Sequence, residues 1–295
     1  TWNFELKHYK GEEGREKTAW KVQSSSEYHY INNMTVPVRN NLADTNLELS
    51  VGSIESIDFL NSMEGLIQFS LAHNTKRSNN IDMTPISNLT NLTLLSIEGY
   101  DKNIHQIFEN LKKLETIHLR SISAIKSLDF ISHIQTIKNV IIQLGGIYQL
   151  KELEKLKNVQ YLQLWRINKL EDISFISNMK NLQFLNLETL NKIEKFPSVE
   201  NLNKLKRVLI ASCKNMINFE SLGESKSLVD FIYQNTNTQQ PRDFLPVISN
   251  KNISNIGIGF QKVKDQKEIE LLLAENQKKG MTHRYSTFKK EFVYE

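Results

Sequence analysis

Residues 159–187 read VQYLQLWRINKLEDISFISNMKNLQFLNL, and this stretch contains the frame L-x-x-L-x-L twice. The apolar frame residues are Val159, Leu162 and Leu164 in the first copy and Leu182, Leu185 and Leu187 in the second. Self-similarity at a fixed period of roughly 20–50 residues is typical of proteins built from stacked repeats. The stretch therefore predicts a repeat protein.

The same frame recurs along most of the chain. Its clear copies begin at residues 92, 114, 137, 159, 182, 205 and 228, so that each copy starts 22 or 23 residues after the previous one. Weaker copies begin at Asp44, Leu66 and Ile253. Together they predict about ten repeats between residues 44 and 260.

This pattern resembles the leucine-rich repeat family in its bacterial 22–23-residue form. The resemblance implies an α/β fold, a right-handed solenoid with a parallel sheet on its concave face. The chain departs from the family at the ninth frame position, where the family often has Asn or Cys. Here the position holds Ile122, Ile167, Leu190 and Cys213. We therefore expect an asparagine ladder there to be mostly absent, with apolar packing in its place.

Both ends of the chain depart from the repeat pattern. A single repeat cannot bury its apolar face alone, and the open ends of a stack need caps. Near the C-terminus, Asp265 and Glu268 predict a helix that begins with a capping box, and Gly280 predicts its stop. The predicted domains are an N-terminal β cap at 1–42, the repeat solenoid at 43–261, and a C-terminal helix and strand cap at 262–295.

Composition excludes several classes of protein. The chain has 295 residues, 39% of them hydrophobic and 24% charged, as expected of a globular protein. No uncharged apolar run approaches the ~18 residues of a membrane span. The one cysteine excludes an intramolecular disulfide and favours a reducing compartment. We expect a cytoplasmic protein, or a secreted or surface protein if a signal segment was removed upstream of Thr1.

The sequence shows no motif that carries catalysis. HExxH, P-loop, GxSxG and kinase patterns are missing, and the seven histidines are scattered. Gly257-x-Gly259 lacks a third glycine, so it predicts a close-packed strand, and Cys213 falls on an inward position that predicts burial. We therefore expect no enzyme, no cofactor and no metal. The net charge is only +4 and basic residues are spread along the chain, so we expect no nucleic-acid partner.

Because side chains alternate along a strand, the repeat frame predicts which residues lie on the outer face of the sheet. Positions one, four and six of each frame point inward, whereas positions three, five and seven project from the sheet. These outward columns place aromatic and arginine side chains on neighbouring strands, and such residues are enriched at binding hot spots. The predicted binding surface comprises Tyr161, Trp165, Arg166, Phe184, Glu188, Arg120, His118 and Arg207.

These features favour a non-enzymatic, monomeric protein-binding module that docks a partner on its concave face. By analogy with the family, neutralising a partner protein, as immunity-type proteins do, is one use of such a module. An internalin-like adhesion module is the alternative, and it requires a signal segment upstream of Thr1. An enzyme with its site in a terminal cap is the third hypothesis, although both caps are short for a catalytic domain.

Overall fold

The computed structural model describes residues 2–10, 16–23, 28–31, 46–51, 56–73, 81–99, 103–236 and 238–280. The chain divides into two compact units, residues 1–125 and residues 126–295, which are described in turn. The part of the predicted C-terminal cap that follows Gly280, including its final strand, lies outside the described residues. The boundaries of the predicted caps and solenoid remain predictions.

The first unit combines an antiparallel ribbon with parallel repeat strands. Its strands are β1 (Trp2–Lys10), β2 (Glu16–Gln23), β3 (Tyr28–Ile31), β4 (Asn46–Val51), β5 (Gln68–His73), β6 (Leu94–Glu98) and β7 (Thr116–Arg120). Strand β2 pairs antiparallel with both β1 and β3, and β1 pairs in parallel with β4. Strands β4 to β7 then follow one another in parallel register. Short 3-10 helices at Asp58–Ser62, Thr84–Asn88 and Ile104–Asn110 lie between the repeat strands.

The second unit continues the repeat pattern. Its strands are β8 (Asn139–Gln143), β9 (Tyr161–Trp165), β10 (Phe184–Glu188), β11 (Arg207–Ala211), β12 (Asp230–Thr236), β13 (Asn255–Phe260) and β14 (Lys279–Gly280). Each pairs in parallel with the next. The connecting helices are 3-10 segments at Asp129–Ile131, Lys151–Lys155, Ser174–Asn178 and Pro241–Phe244, together with α1 (Glu220–Gly223), α2 (Leu245–Ser249) and α3 (Val263–Glu275).

The frame residues form the core, as the sequence predicts. In the repeat that contains β10, Leu182, Leu185 and Leu187 are all completely buried. Burying an apolar side chain of this size contributes about 1.5–3 kcal/mol, and each repeat from residue 66 onward buries three frame residues. Each of the ten frames carries a strand, four in the first unit and six in the second. The predicted α/β solenoid of leucine-rich repeats is therefore confirmed.

The ninth frame position is apolar and buried, as expected. Ile167 and Leu190 are at most 1% exposed. Asparagines nevertheless link neighbouring repeats at a different position, immediately before the frame. Asn158 Nδ2 donates to the Gln135 carbonyl at 2.7 Å, and Asn181 Nδ2 donates to the Lys157 carbonyl at 2.7 Å. The repeats thus carry an exposed asparagine ladder that the sequence analysis did not identify.

The residue after most strands of the stack adopts a left-handed backbone. These residues are Gly99 and Ser121 in the first unit and Leu144, Arg166, Thr189 and Ser212 in the second. Asn235, at the equivalent frame position, is also left-handed but lies within β12. The turn directs the backbone N–H to the carbonyl that ends the next strand: Thr189 N donates to the Ala211 carbonyl at 2.8 Å, and Arg166 N donates to the Glu188 carbonyl at 2.8 Å. The strained turn therefore adds a hydrogen bond between repeats beyond the strand itself.

Helix α3 exists where a helix is predicted, but both of its ends differ from the prediction. It begins after Lys262, whose side chain does not cap it, and Asp265 lies within its first turn. The helix stops at Glu275 rather than near Gly280. Gln277 takes the left-handed conformation there, and Lys278 N donates to the Leu273 carbonyl at 2.8 Å. This is a Schellman ending in which glutamine replaces the glycine that usually favours it.

Candidate functional site

The sheet of the second unit places its outward positions in straight columns. Strand register pairs Phe184 with Tyr161 on one side and with Arg207 on the other, and Arg207 with Asp230. At the far end of each strand, Trp165 pairs with Glu188. Neighbouring strands lie ~4.8 Å apart, so columns of this kind bring residues 22 or 23 positions apart in sequence into contact.

Apolar side chains on these columns form a second, smaller cluster on the sheet face that is opposite the repeat core. We name this the sheet-face cluster, and it consists of Tyr161, Phe184, Leu209, Ala211 and Ile232, with Ile141 packed against it. The Tyr161 and Phe184 rings meet edge to face with centroids 5.0 Å apart. The Tyr161 hydroxyl donates to Gln163 Oε1 at 2.8 Å, which satisfies the polar end of the ring.

The burial of this cluster differs from the expectation of an open aromatic surface. Tyr161 is 7% exposed and Phe184 is 2% exposed, so both predicted contact residues are buried. Leu209 and Ile232 also occupy outward frame positions and are similarly buried, although neither is among the predicted site residues. Alternation in a strand identifies the face to which a side chain belongs. It does not reveal how completely that side chain is removed from water.

The accessible part of the predicted surface lies beside the cluster, where the strands end. Trp165 and Glu188 are half-buried and Arg166 is exposed. Arg166 occupies the left-handed position after β9, and its backbone N–H donates to the Glu188 carbonyl. The backbone of this edge is therefore fixed by the repeat. We name Trp165, Arg166 and Glu188 the strand-end rim.

Arg207 forms an ion pair within the sheet face. Its Nη2 lies 2.6 Å from Asp230 Oδ2, and the two side chains are only 13% and 11% exposed. The other carboxylate oxygen, Asp230 Oδ1, accepts a hydrogen bond from Asn255 Nδ2 at 2.6 Å. Both oxygens of the buried carboxylate are thus satisfied, as buried charges require. Asp230 and Asn255 were not among the predicted site residues. The sequence did contain one indication of the ion pair, because Arg207 and Asp230 occupy the same outward frame position in neighbouring repeats.

The two remaining predicted site residues belong to the first unit. His118 Nδ1 lies 2.9 Å from the Ser96 hydroxyl. Arg120 Nε donates to Glu98 Oε1 at 2.8 Å, and both side chains are about one-third exposed. The pairs connect equivalent positions of β6 and β7, so they stabilise that register. A binding role for His118 and Arg120 stays a prediction.

The described residues offer little chemistry beyond binding. Cys213 is completely buried, as predicted, and this burial raises the pKa of its thiol to about 12. A thiol with so high a pKa is a poor nucleophile at neutral pH.

Across the described parts of the chain, no group of three or more His, Cys, Asp or Glu side chains is arranged to hold a metal ion. Among the helices formed by these residues, none has the length and apolar character needed to cross a membrane.

Comparison with known proteins returns structural matches alone. No protein-family model matches the sequence, and no curated protein matches it. Two similar solved structures are internalins from Listeria monocytogenes strain 4b F2365. Internalin C2 has 18% identity and a TM-score of 0.48, covering 73% of this chain and 80% of its own. The internalin inlF has 14% identity and a TM-score of 0.45, covering 81% of this chain and 87% of its own.

At these identities and TM-scores, neither comparison carries a functional assignment. The class of the protein follows from its own geometry. L-x-x-L-x-L frames at intervals of 22 or 23 residues each form a short parallel strand, and the frame residues pack inward. The fold is that of a leucine-rich-repeat protein.

Proposed function

We propose that this chain is a non-enzymatic protein-binding module whose partner docks on the sheet face of the second unit. The observation that carries the proposal is the sheet-face cluster. The repeats already bury three frame residues per strand on the opposite side, so stacking does not require a second apolar cluster. A packed aromatic cluster beside an accessible tryptophan and arginine has the composition of a binding hot spot.

The proposed interface has a rigid base and an accessible edge. Tyr161 and Phe184 support the surface from below, whereas Trp165, Arg166 and Glu188 reach the partner. Fixed strand register and the left-handed turn at Arg166 hold the edge before the partner arrives. Preorganisation of this kind favours affinity because few side chains have to be ordered on binding.

A quantitative binding experiment tests the proposal. The full chain captures its partner from source lysate, and affinity for the purified partner is then measured for wild type and for Trp165→Ala. We expect a loss of at least ~30-fold, since truncating a hot-spot aromatic costs ~2 kcal/mol or more. The melting temperature should stay within a few degrees because Trp165 lies outside the repeat core.

Tyr148→Ala is the matched control for this experiment. Tyr148 is also a half-buried aromatic, but it lies in the connection after β8 and not on the sheet face. It should leave affinity unchanged. Equal affinity of Trp165→Ala and wild type would contradict the proposal. As a finer proposal, the module neutralises its partner, and adding wild-type chain should then abolish an activity of the captured protein.

A further inference from the structure

Burial on the sheet face changes abruptly between neighbouring strands of the second unit. In β8, buried and half-buried residues alternate, so the outward positions of this strand keep contact with water. In β9 and β10, the outward residues are buried like the frame residues, apart from the last residue of each strand. The same holds for β11 after its first residue and for β12 from Asp230 to Tyr233. Four adjacent strands are therefore buried on both faces.

Packing between neighbouring strands does not by itself produce this burial. Ile141 of β8 and Ile232 of β12 occupy the same outward frame position, yet Ile141 is half-buried and Ile232 is 3% exposed. Burial falls again on β13, where Gly259 is exposed, so the predicted close packing is not found at this glycine. Parallel strands are buried on both faces where a second layer covers them. The pattern indicates a cover that extends over β9 to β12 and stops before β8 and β13.

The described helices of the second unit do not supply this cover, because their main contacts are with one another and with β13 and β14. Within this unit, residue 237 and residues 281–295 lie outside the described residues. One residue is too small to cover four strands. We propose that residues 281–295 of this chain dock across the sheet face of β9 to β12. The inference rests on the proposed function and adds its regulation, because the segment and the partner compete for one surface.

The segment is long enough to reach all four strands. Gly280 pairs with Ile256, so the segment begins at the edge of the sheet, beside β13. Strand β9 lies five strands from β14, which is about 24 Å at a spacing of ~4.8 Å. The 15 residues of the segment can span up to ~50 Å when extended. The chain can therefore cross the sheet face without any change in the described fold.

The composition of the segment suits the surface that it is proposed to cover. Four of its 15 residues are aromatic, against 9% in the whole chain, and they can pack on the sheet-face cluster. These residues are Tyr285, Phe288, Phe292 and Tyr294. The amides of Gln163 and Asn186 lie on the same face and are at most 4% exposed. Buried amides need hydrogen-bonding surroundings, and a polypeptide backbone offers both donors and acceptors. A peptide with aromatic side chains therefore fits this face better than a purely apolar ligand does.

Thiol accessibility on the sheet face tests the proposal in the full chain. Ala211→Cys places a thiol in the sheet-face cluster, where Ala211 is 5% exposed. Gln143→Cys is the matched position, since Gln143 occupies the same frame position in β8 and is half-buried. The thiol from Ala211→Cys should react at least ~10-fold more slowly, because reaction requires access of the reagent. Equal rates would show that the face is open and would overturn the proposal.

Loss of aromatic residues from the segment should open the face. In the chain with Ala211→Cys, Phe288→Ser combined with Phe292→Ser should raise the labelling rate at least ~10-fold, because it removes apolar contacts. Lys289→Ser combined with Lys290→Ser is the matched control, since it changes the same segment and keeps its aromatic residues. This control should leave the rate unchanged. An unchanged rate after loss of both phenylalanines would contradict the proposal.

A free peptide identifies the cover. The peptide of residues 281–295, added at about millimolar concentration to match a tethered segment, should restore slow labelling to the chain without the two phenylalanines. A peptide of scrambled order should not restore it. The native thiol of Cys213 should stay unlabelled throughout, which excludes unfolding as the cause of faster labelling. Equal restoration by both peptides or by neither would overturn the proposal. Protection that is lost on dilution would also overturn it, because the cover would then be a second copy of the chain.

Partner affinity separates this inference from the proposed function. The variant without Phe288 and Phe292 should bind the captured partner at least ~5-fold more tightly, because the open state becomes more populated. If Trp165→Ala loses the partner while the labelling rates do not respond to the segment, the proposed function stands and this inference fails. If the labelling results hold and neither variant changes affinity, the segment docks but the proposed function fails. If only Trp165→Ala changes affinity, the segment and the partner do not compete, which refutes the regulation.

Discussion

Phe184 and Leu185 are adjacent residues that point to opposite sides of one strand, yet both are buried. Leu185 packs in the repeat core, and Phe184 packs in the sheet-face cluster against Tyr161. The second cluster gives this strand two buried faces, whereas a strand with one solvated face would show alternating burial. Residues that resemble binding contacts in the sequence therefore also stabilise the fold.

Phe184→Ala should lower the free energy of unfolding by ~3–4 kcal/mol, because it removes a large buried ring and leaves a cavity. The outward column alone would predict that truncation of Phe184 hardly affects stability, whereas its burial predicts a large loss. Leu185→Ala should cost ~2–5 kcal/mol, and the two can be compared by urea unfolding. A loss below ~0.5 kcal/mol for Phe184→Ala would show that the cluster is not packed.

The single thiol should be inert in the folded protein. Burial raises the pKa of Cys213 to about 12, from a usual value of 9.0. At pH 8 a thiol reagent should therefore react at least ~1000-fold more slowly than in denaturant. Because the folded pKa is the higher one, Cys213 favours the folded state fully below pH 9, and this stabilisation is lost as pH rises from 9 towards 12. Equal labelling rates in native and denatured protein would contradict this burial.

At the scale of elements, the left-handed turn after β10 combines strain with a hydrogen bond. Thr189 is β-branched and has a φ of 53°, a conformation that such residues rarely adopt. Its backbone N–H still donates to the Ala211 carbonyl. The strain is thus located in one residue, and the bond between repeats does not depend on that residue's side chain.

Thr189→Gly should raise the free energy of unfolding by ~0.5–1 kcal/mol. Relief of the left-handed strain is worth ~1–2 kcal/mol, and the added freedom of glycine in the unfolded chain offsets part of it. Gly99→Ala is the reverse control, since Gly99 occupies the equivalent turn after β6 with a φ of 78°. It should destabilise the protein, and thermal unfolding of both variants measures the two effects.

Strand positions and the buried frame residues were predictable from sequence, whereas the ends of elements and the burial of the outward columns were not. The frame residues had to point inward because nothing else in a 22- or 23-residue unit could form a core. The stop of α3 was missed because backbone hydrogen bonds at Gln277 and Lys278 complete the Schellman ending without glycine. The asparagine ladder was missed because the family pattern places asparagine at the ninth frame position. Asn158 and Asn181 instead lie immediately before the first frame position.

The location of the candidate site was predictable from sequence, but the burial and charge pairing of its residues were not. The assignment of outward positions from the repeat frame correctly placed Trp165 and Arg166 at an accessible strand end. It could not show that Tyr161 would be buried, because burial depends on side chains from other repeats that the local pattern does not contain. It also could not show that Arg207 would be neutralised by Asp230.

At the scale of the whole molecule, charge has a small role in the proposed binding. The chain carries a net charge of +4, and on the sheet face Arg207 is paired with Asp230 while Arg166 and Glu188 have opposite signs. Such an interface gains little from long-range attraction, in contrast to nucleic-acid binding, which loses ~1000-fold or more as salt rises.

Partner affinity should therefore change less than ~3-fold between 50 and 500 mM NaCl, measured by calorimetry with the full chain. The heat-capacity change on binding should be negative, as for burial of apolar surface. A steep fall of affinity with salt would instead assign the interaction to a charged surface elsewhere on the molecule.

The inert thiol of Cys213 also makes the chain a convenient reporter. Because the chain has no other cysteine, one introduced next to the strand-end rim would be the single fast-reacting thiol in the folded protein. Asn168→Cys, at an exposed position two residues after Arg166 and outside the rim, could carry a fluorophore after a brief reaction at neutral pH without protection of any native group. The emission of the fluorophore would change when the partner docks, in real time. Unfolding would be detected separately, because Cys213 reacts with a second thiol reagent only once the protein unfolds.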